Sequence, residues 1–176
     1  MRSVAIMFIL FVASITSAIA SSHLSPAQWS LMKNDPAIAG LDSNAAAAYY
    51  KTQYSPATKA WITSCPALTL DEGANYSTFD SIVAGKRAAW DIYLKYAPRD
   101  LTKAKNRAVI TDVWGNATAS SVAESILQAG TRNINNIEKL LGGTAAATTG
   151  TVTALKLTWE GTVNGGDVND AREFGL

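Results

Sequence analysis

Apolar residues recur along most of this chain with a helical period, and the periods break at proline and glycine. Ser25-Pro26-Ala27-Gln28 joins a capping residue, a proline suited to the first helical position and a glutamine that completes a capping box. It predicts a helix over Pro26–Lys33, stopped near Asn34-Asp35-Pro36 because a residue before proline is pushed from helical geometry. Asp42 is placed to cap a second helix through SNAAAAYYKTQY, and Ser55-Pro56 to start a short third one carrying Trp61 and Ile62 up to Cys65-Pro66. Thr69 with Glu72 reads as a capping box opening a brief turn.

The longest periodic stretch is FDSIVAGKRAAWDIYLKYA. Ile82, Val83, Ala89, Trp90, Tyr93, Leu94 and Ala97 fall three or four apart, which predicts an apolar stripe facing the core. Pro98 ends it. Asp100 is the expected cap of a helix over 101–114, with a stripe of Leu101, Ala104, Ala108, Ile110 or Thr111, and Trp114. Two further helices are expected over 120–129 and 133–141, closed by Gly130 and Gly142-Gly143. Beyond them the period changes. Leu155, Leu157 and Trp159 alternate with Lys156 and Thr158, the pattern of a half-buried strand, and VNGGDV is a turn after which Asp167 caps a last helical turn. The expected fold is mainly α, a single compact helical domain with a small C-terminal β-hairpin or strand element. Its segments are an apolar leader (1–23), a helical body (24–143), and a C-terminal β element and tail (144–176) of the same domain.

Charge narrows the function classes. From Ser21 onward, 14 Lys and Arg face 14 Asp and Glu, so no overall field draws the chain to nucleic acid or anionic lipid. Locally the balance tips: Lys86, Arg87, Lys95, Arg99, Lys103, Lys105 and Arg107 carry half of that positive charge within 22 residues, against Asp91 and Asp100. The first reading is a solvated surface with long stems lying over apolar area; the second is a contact for DNA phosphate or an acidic partner.

Catalytic templates fail one after another. The single histidine, His23, precedes the first predicted helix and has no packed nucleophile to serve. One Cys and one His fall short of a zinc site, and no phosphate-cradling glycine motif occurs. Lone Cys65, ahead of Pro66, reads as a semi-buried structural thiol. Asp71 and Glu72 are adjacent and so diverge on a helix. A carboxylate pair assembled by the fold from Asp80, Asp91, Glu124 or Glu138 is the remaining enzymatic route. Neither cofactor nor metal is expected. Five Trp and six Tyr supply core, but Tyr49, Tyr50 and Tyr54, on a helix otherwise made of small residues, also suit a contact with another subunit.

The ordered series LSPAQWSLMKNDPAIA, SPATKAWITS, AGKRAAWDIYL, DLTKAKNR, TRNINNIEKLL and LTWEGTVNGGDV resembles a family of small tailed-bacteriophage proteins associated with the tail or connector. The resemblance spans about residues 24–171. It implies a virion-assembly role: an adaptor joining tail parts or fibres to the tail or head–tail connector, with other virion proteins as partners and assembly in the host cytoplasm. A connector ring subunit, with the basic segment facing DNA, is a variant of that reading. An exposed edge of the strand over 152–159 would serve an adaptor by pairing with a neighbouring protein's strand.

The leader bears on compartment. Arg2, the apolar run from Val4 to about Ile15, and Ala18-Ile19-Ala20 are the parts of a secretory signal cut after Ala20. The run is too short and too rich in Ala, Ser and Thr for a stable membrane span. Members of the resembled family begin at the equivalent of LSPAQW, so residues 1–23 are read as an upstream extension. The alternative is an exported helical protein of the periplasm or cell surface.

Overall fold

Helix α1 (Pro26–Lys33) begins as the capping box requires: Ser25 accepts from the Gln28 amide while the Gln28 side chain accepts from the Ser25 N–H at 2.8 Å. This computed structural model describes residues 24–143 and 145–174, and the leader expectations lie outside them. In order follow α2 (Ser43–Lys51), β1 (Lys59–Trp61), α3 (Ala67–Glu72), α4 (Ala84–Lys95), α5 (Ala104–Trp114), α6 (Val122–Ala129), β2 (Thr131–Asn133), α7 (Asn136–Leu141), β3 (Ala146–Thr149), β4 (Val152–Leu155) and α8 (Gly165–Glu173). Short 3₁₀ turns occupy Pro36–Ile38 and Tyr76–Ser81.

About half of the described residues are helical, and the four strands form one sheet, so the fold is mixed α/β with helix predominating. The strand order is β2-β1-β4-β3: β1 runs antiparallel to β2 and parallel to β4, and β3 and β4 make a hairpin. Two strands therefore come from the segment expected to be wholly helical. Trp61 and Ile62 do not continue a helix from Pro56. Their backbone is claimed from afar: Ile62 N–H donates to the Gly130 carbonyl at 3.1 Å, and the Ile62 carbonyl accepts from Leu101 N–H at 2.9 Å. Next along, Cys65 and Arg99 exchange both backbone bonds at 2.8 Å. Such long-range pairing outweighs a local helix start, since a short isolated helix is marginal in water.

Two large apolar cores result, with a smaller cluster of Ala60, Ile134 and Leu157 beside them. One lies between the sheet and α3–α6, around Trp61, Leu70, Trp90, Tyr93, Leu101, Ile110, Ile126 and Leu127. The other joins α1, α2, α7 and α8 through Met32, Ala46, Ala47, Tyr50, Ile137, Val163 and Val168. Several expected boundaries moved. Asp100 caps a tight turn, accepting from Thr102 N–H at 3.0 Å, and α5 begins only at Ala104. Thr69 sits inside α3 and caps nothing. Asp167 is the third residue of α8 and shares a capping box with Asn164.

Gly142 fixes how the C-terminal third returns. A Cβ there would stand 2.4 Å from the Glu138 carbonyl oxygen and 2.9 Å from both Trp159 O and Leu157 Cδ2. Only glycine lets residues 157–159 cross the end of α7 so closely. Thr158 N–H closes that crossing by donating to the Gly142 carbonyl at 2.7 Å.

Candidate functional site

The basic segment does not form one cationic face. Arg107 is 4% exposed: its guanidinium lies over the Trp61 ring, Nη1 donates to the Leu101 carbonyl at 2.6 Å and Nε to Thr149 Oγ1 at 2.7 Å. Expected on the surface, it is a core residue, because α5 turns this position towards the sheet and three groups there match its planar fork. Burial holds its pKa below the ordinary arginine value. Arg99 folds back over Tyr93, 4.5 Å from the ring centroid, and donates to the Tyr93 carbonyl at 2.8 Å. Arg87 pairs with Asp80 at 3.3 Å, and Lys103 with Asp100 at 3.2 Å. Lys86, Lys95 and Lys105 are exposed without an ion pair among the described residues.

The tyrosines separate as well. Tyr50 is fully buried and its hydroxyl donates to Asp35 at 3.1 Å, so it is core rather than a subunit contact. Burial, with the Asp35 carboxylate beside it, raises its pKa. Tyr49 and Tyr54 are half-buried, and Lys139 lies 5.5 Å from the Tyr54 ring centroid. Cys65 is wholly buried, which pushes its thiol up to about 11.

Of the candidate carboxylates, all but Asp91 are engaged elsewhere. Asp71 accepts from the Tyr76 hydroxyl, Asp80 faces Arg87, Asp91 is exposed, and Glu124 accepts from Thr151 Oγ1 at 2.7 Å. Glu138 is 5% exposed at its side chain and takes a bidentate grip from Arg132, two bonds of 2.7 Å. Arg132 also reaches Glu160 at 3.1 Å. The hydrogen bonds that Arg132 donates to Glu138 raise the arginine's pKa and lock in its charge. This brace ties β2 to α7 and to the segment after β4. Sequence reasoning missed Arg132 and Glu160; the capping-box spacing of Asn135 and Glu138 was the one local signal.

Two surfaces are open. The expected edge at 152–159 is not one, because β4 lies between β1 and β3; the sheet ends instead at β2 and at β3, whose sequence AATT carries no charge. The other surface is α4. Its inner face buries Trp90 and Tyr93, while Ile92 (57% exposed) and Tyr96 (65%) face solvent, four residues apart, with exposed Ala88 and Ala89 behind them. Val83, assigned to the core stripe, is 64% exposed at the start of the helix. The helix packs against α3 and α5 on one side only, so the stripe narrows to its two large rings. A groove of about 530 Å³ is lined by Ser64, Pro66, Ala67, Leu94, Lys95, Ala97 and Pro98, and Leu68 is 67% exposed. Among the described residues no helix is long and apolar enough to cross a membrane, and no cluster of His, Cys, Asp and Glu could hold a metal.

Comparison with protein-family models, curated proteins and solved structures finds no match for this chain.

Proposed function

We propose that this chain is a structural protein of a tailed-phage virion, a non-enzymatic adaptor that joins tail parts or fibres to the tail or head–tail connector. The ordered resemblance of residues 24–171 motivates the virion assignment. The observation that carries the adaptor role is the outer face of α4. A helix that buries aromatic rings inward and also turns Ile92 and Tyr96 outward, with its end lining an open groove, has apolar area left over for another polypeptide. The partners are other virion proteins, and assembly takes place in the host cytoplasm.

A connector ring contacting DNA through residues 86–107 is less favoured. Arg99 and Arg107 are committed to internal carbonyls and rings, and Arg87 and Lys103 to carboxylates. Peptide mass spectrometry of purified virions tests the main reading. Recovery of peptides from this chain at stoichiometric level is expected; their absence from mature particles would overturn it.

A further inference from the structure

Down the axis of α4, the outward positions fall into three rows. Gly85 and Ile92 form the middle row, Asp91 and Lys95 lie on one flank, and Ala89 and the C-cap Tyr96 lie on the other. All of them are exposed, Ile92 at 57% and Tyr96 at 65%. Small residues keep the first half of this face flat, and a Cβ built on Gly85 meets nothing within 4 Å. The second half is a ridge of two large apolar side chains. Knobs and a flat seat therefore lie end to end on one helix.

Charge is arranged in the same way. Asp91 and Lys95 stand four apart on one flank, and neither has an ion pair among the described residues. Their signs cancel within the face, so it attracts neither a strongly acidic nor a strongly basic partner. They complement a copy of themselves. In an antiparallel pair related by a two-fold axis, each flank meets the same flank of the other helix in reversed order. One register, with the axis beside Ile92, satisfies every group. Ile92 meets Ile92 of the second copy, Tyr96 covers Ala89, and Asp91 reaches Lys95, the last two contacts each occurring twice. Large side chains set over small ones let the helix axes approach to about 8 Å, the close end of the usual range.

We propose that the outer face of α4 docks onto the same face of a second copy of this chain, as an antiparallel two-fold helix pair. The dimer names the occupant of the contact surface argued above and rests on that reading of α4, not on the virion assignment.

Sedimentation equilibrium of the full chain over a concentration series tests it, with far-UV circular dichroism and thermal melts confirming that each variant folds. A reversible monomer–dimer equilibrium is expected. Ile92→Asp sets two carboxylates against each other at the axis and weakens the dimer about a hundredfold. Asp91→Lys and Lys95→Asp each weaken it about tenfold, and the two changes in one chain restore it. Mixed together, the two single variants form a heterodimer tighter than either homodimer, because unlike charges then meet twice. These positions are exposed, so melting temperatures stay near that of the wild type. A monomer at every concentration up to the solubility limit would overturn the dimer. So would a dimer indifferent to Ile92→Asp and to both charge reversals, which marks another interface. A monomeric chain that loses its place in virions through Ile92→Asp would sink the pair and spare α4 as the contact for a different protein. A charge-sensitive dimer absent from mature particles would uphold the pair and sink the adaptor.

Discussion

Arg107 lies over the Trp61 ring, its guanidinium carbon 4.8 Å from the ring centroid, in the core between α5 and the sheet. A cation placed by sequence on a basic surface is instead a structural link among α5, β1, the turn at Leu101 and β3. Arg107→Ala removes two hydrogen bonds from a charged donor and the ring contact, and leaves the Leu101 carbonyl without that donor. We expect a loss of about 3 kcal/mol. Arg107→Lys keeps charge but not the fork, and should cost about 2 kcal/mol. Lys105→Ala, an exposed change, should stay within about 0.5 kcal/mol. Urea unfolding monitored by tryptophan fluorescence measures all three.

The Arg132–Glu138 pair should behave as a buried unit. Glu138→Ala leaves a guanidinium half-buried with only Glu160 to answer it, and frees the Asn135 and Gly161 amides. A loss of about 3–5 kcal/mol is expected. The double variant with Arg132→Ala should lose less than the two single losses added together, and a double-mutant cycle in urea reads that coupling directly.

Stability should fall on the alkaline side. Burial holds the Cys65 thiol up to about 11 against an ordinary 9.0. Between pH 9 and 11 the unfolded chain sheds this proton while the folded chain keeps it, so folding weakens as pH rises. One such group contributes about 1.4 kcal/mol per pH unit, about 2–3 kcal/mol across the window. Burial also pushes Tyr93 up to about 12 and raises Tyr50, which extends the decline further. Thermal melts from pH 8 to 11 should show the slope, and Cys65→Ala should flatten its first part. A thiol reagent at pH 8 should react with Cys65 only on unfolding.

If the chain is the virion adaptor proposed above, the outer face of α4 should separate folding from docking. Ile92→Asp with Tyr96→Asp alters exposed side chains only, so the melting temperature should change little. Virions assembled with that variant should lack the chain or its neighbour, as read by quantitative mass spectrometry of particles. Normal incorporation would show that this face makes no assembly contact.

Much of the helical content was legible because it is written within three or four residues. Ser25 and Gln28 close their box, Asp42 accepts from the Asn44 and Ala45 amides, and Gly115 and Gly130 end α5 and α6 as read. The brace was not. Arg132 and Glu160 carry no spacing signal, since one sits on an edge strand and the other in an irregular return. They meet only because residues 157–161 cross the tip of α7 at Gly142.

By itself, the sequence determined the starts of α1 and α2, the ends of α5 and α6, that Trp90 and Tyr93 share a buried face, and that the strand period appears after Gly143. Those are short-range matters of capping, backbone geometry and periodicity. Only the tertiary structure decided that Lys59–Trp61 and Thr131–Asn133 are strands, that Arg107 and Tyr50 turn inward, and that β4 is an inner strand rather than an edge. Each depends on partners far along the chain, whose hydrogen bonds and buried area outweigh local preference once the two cores close.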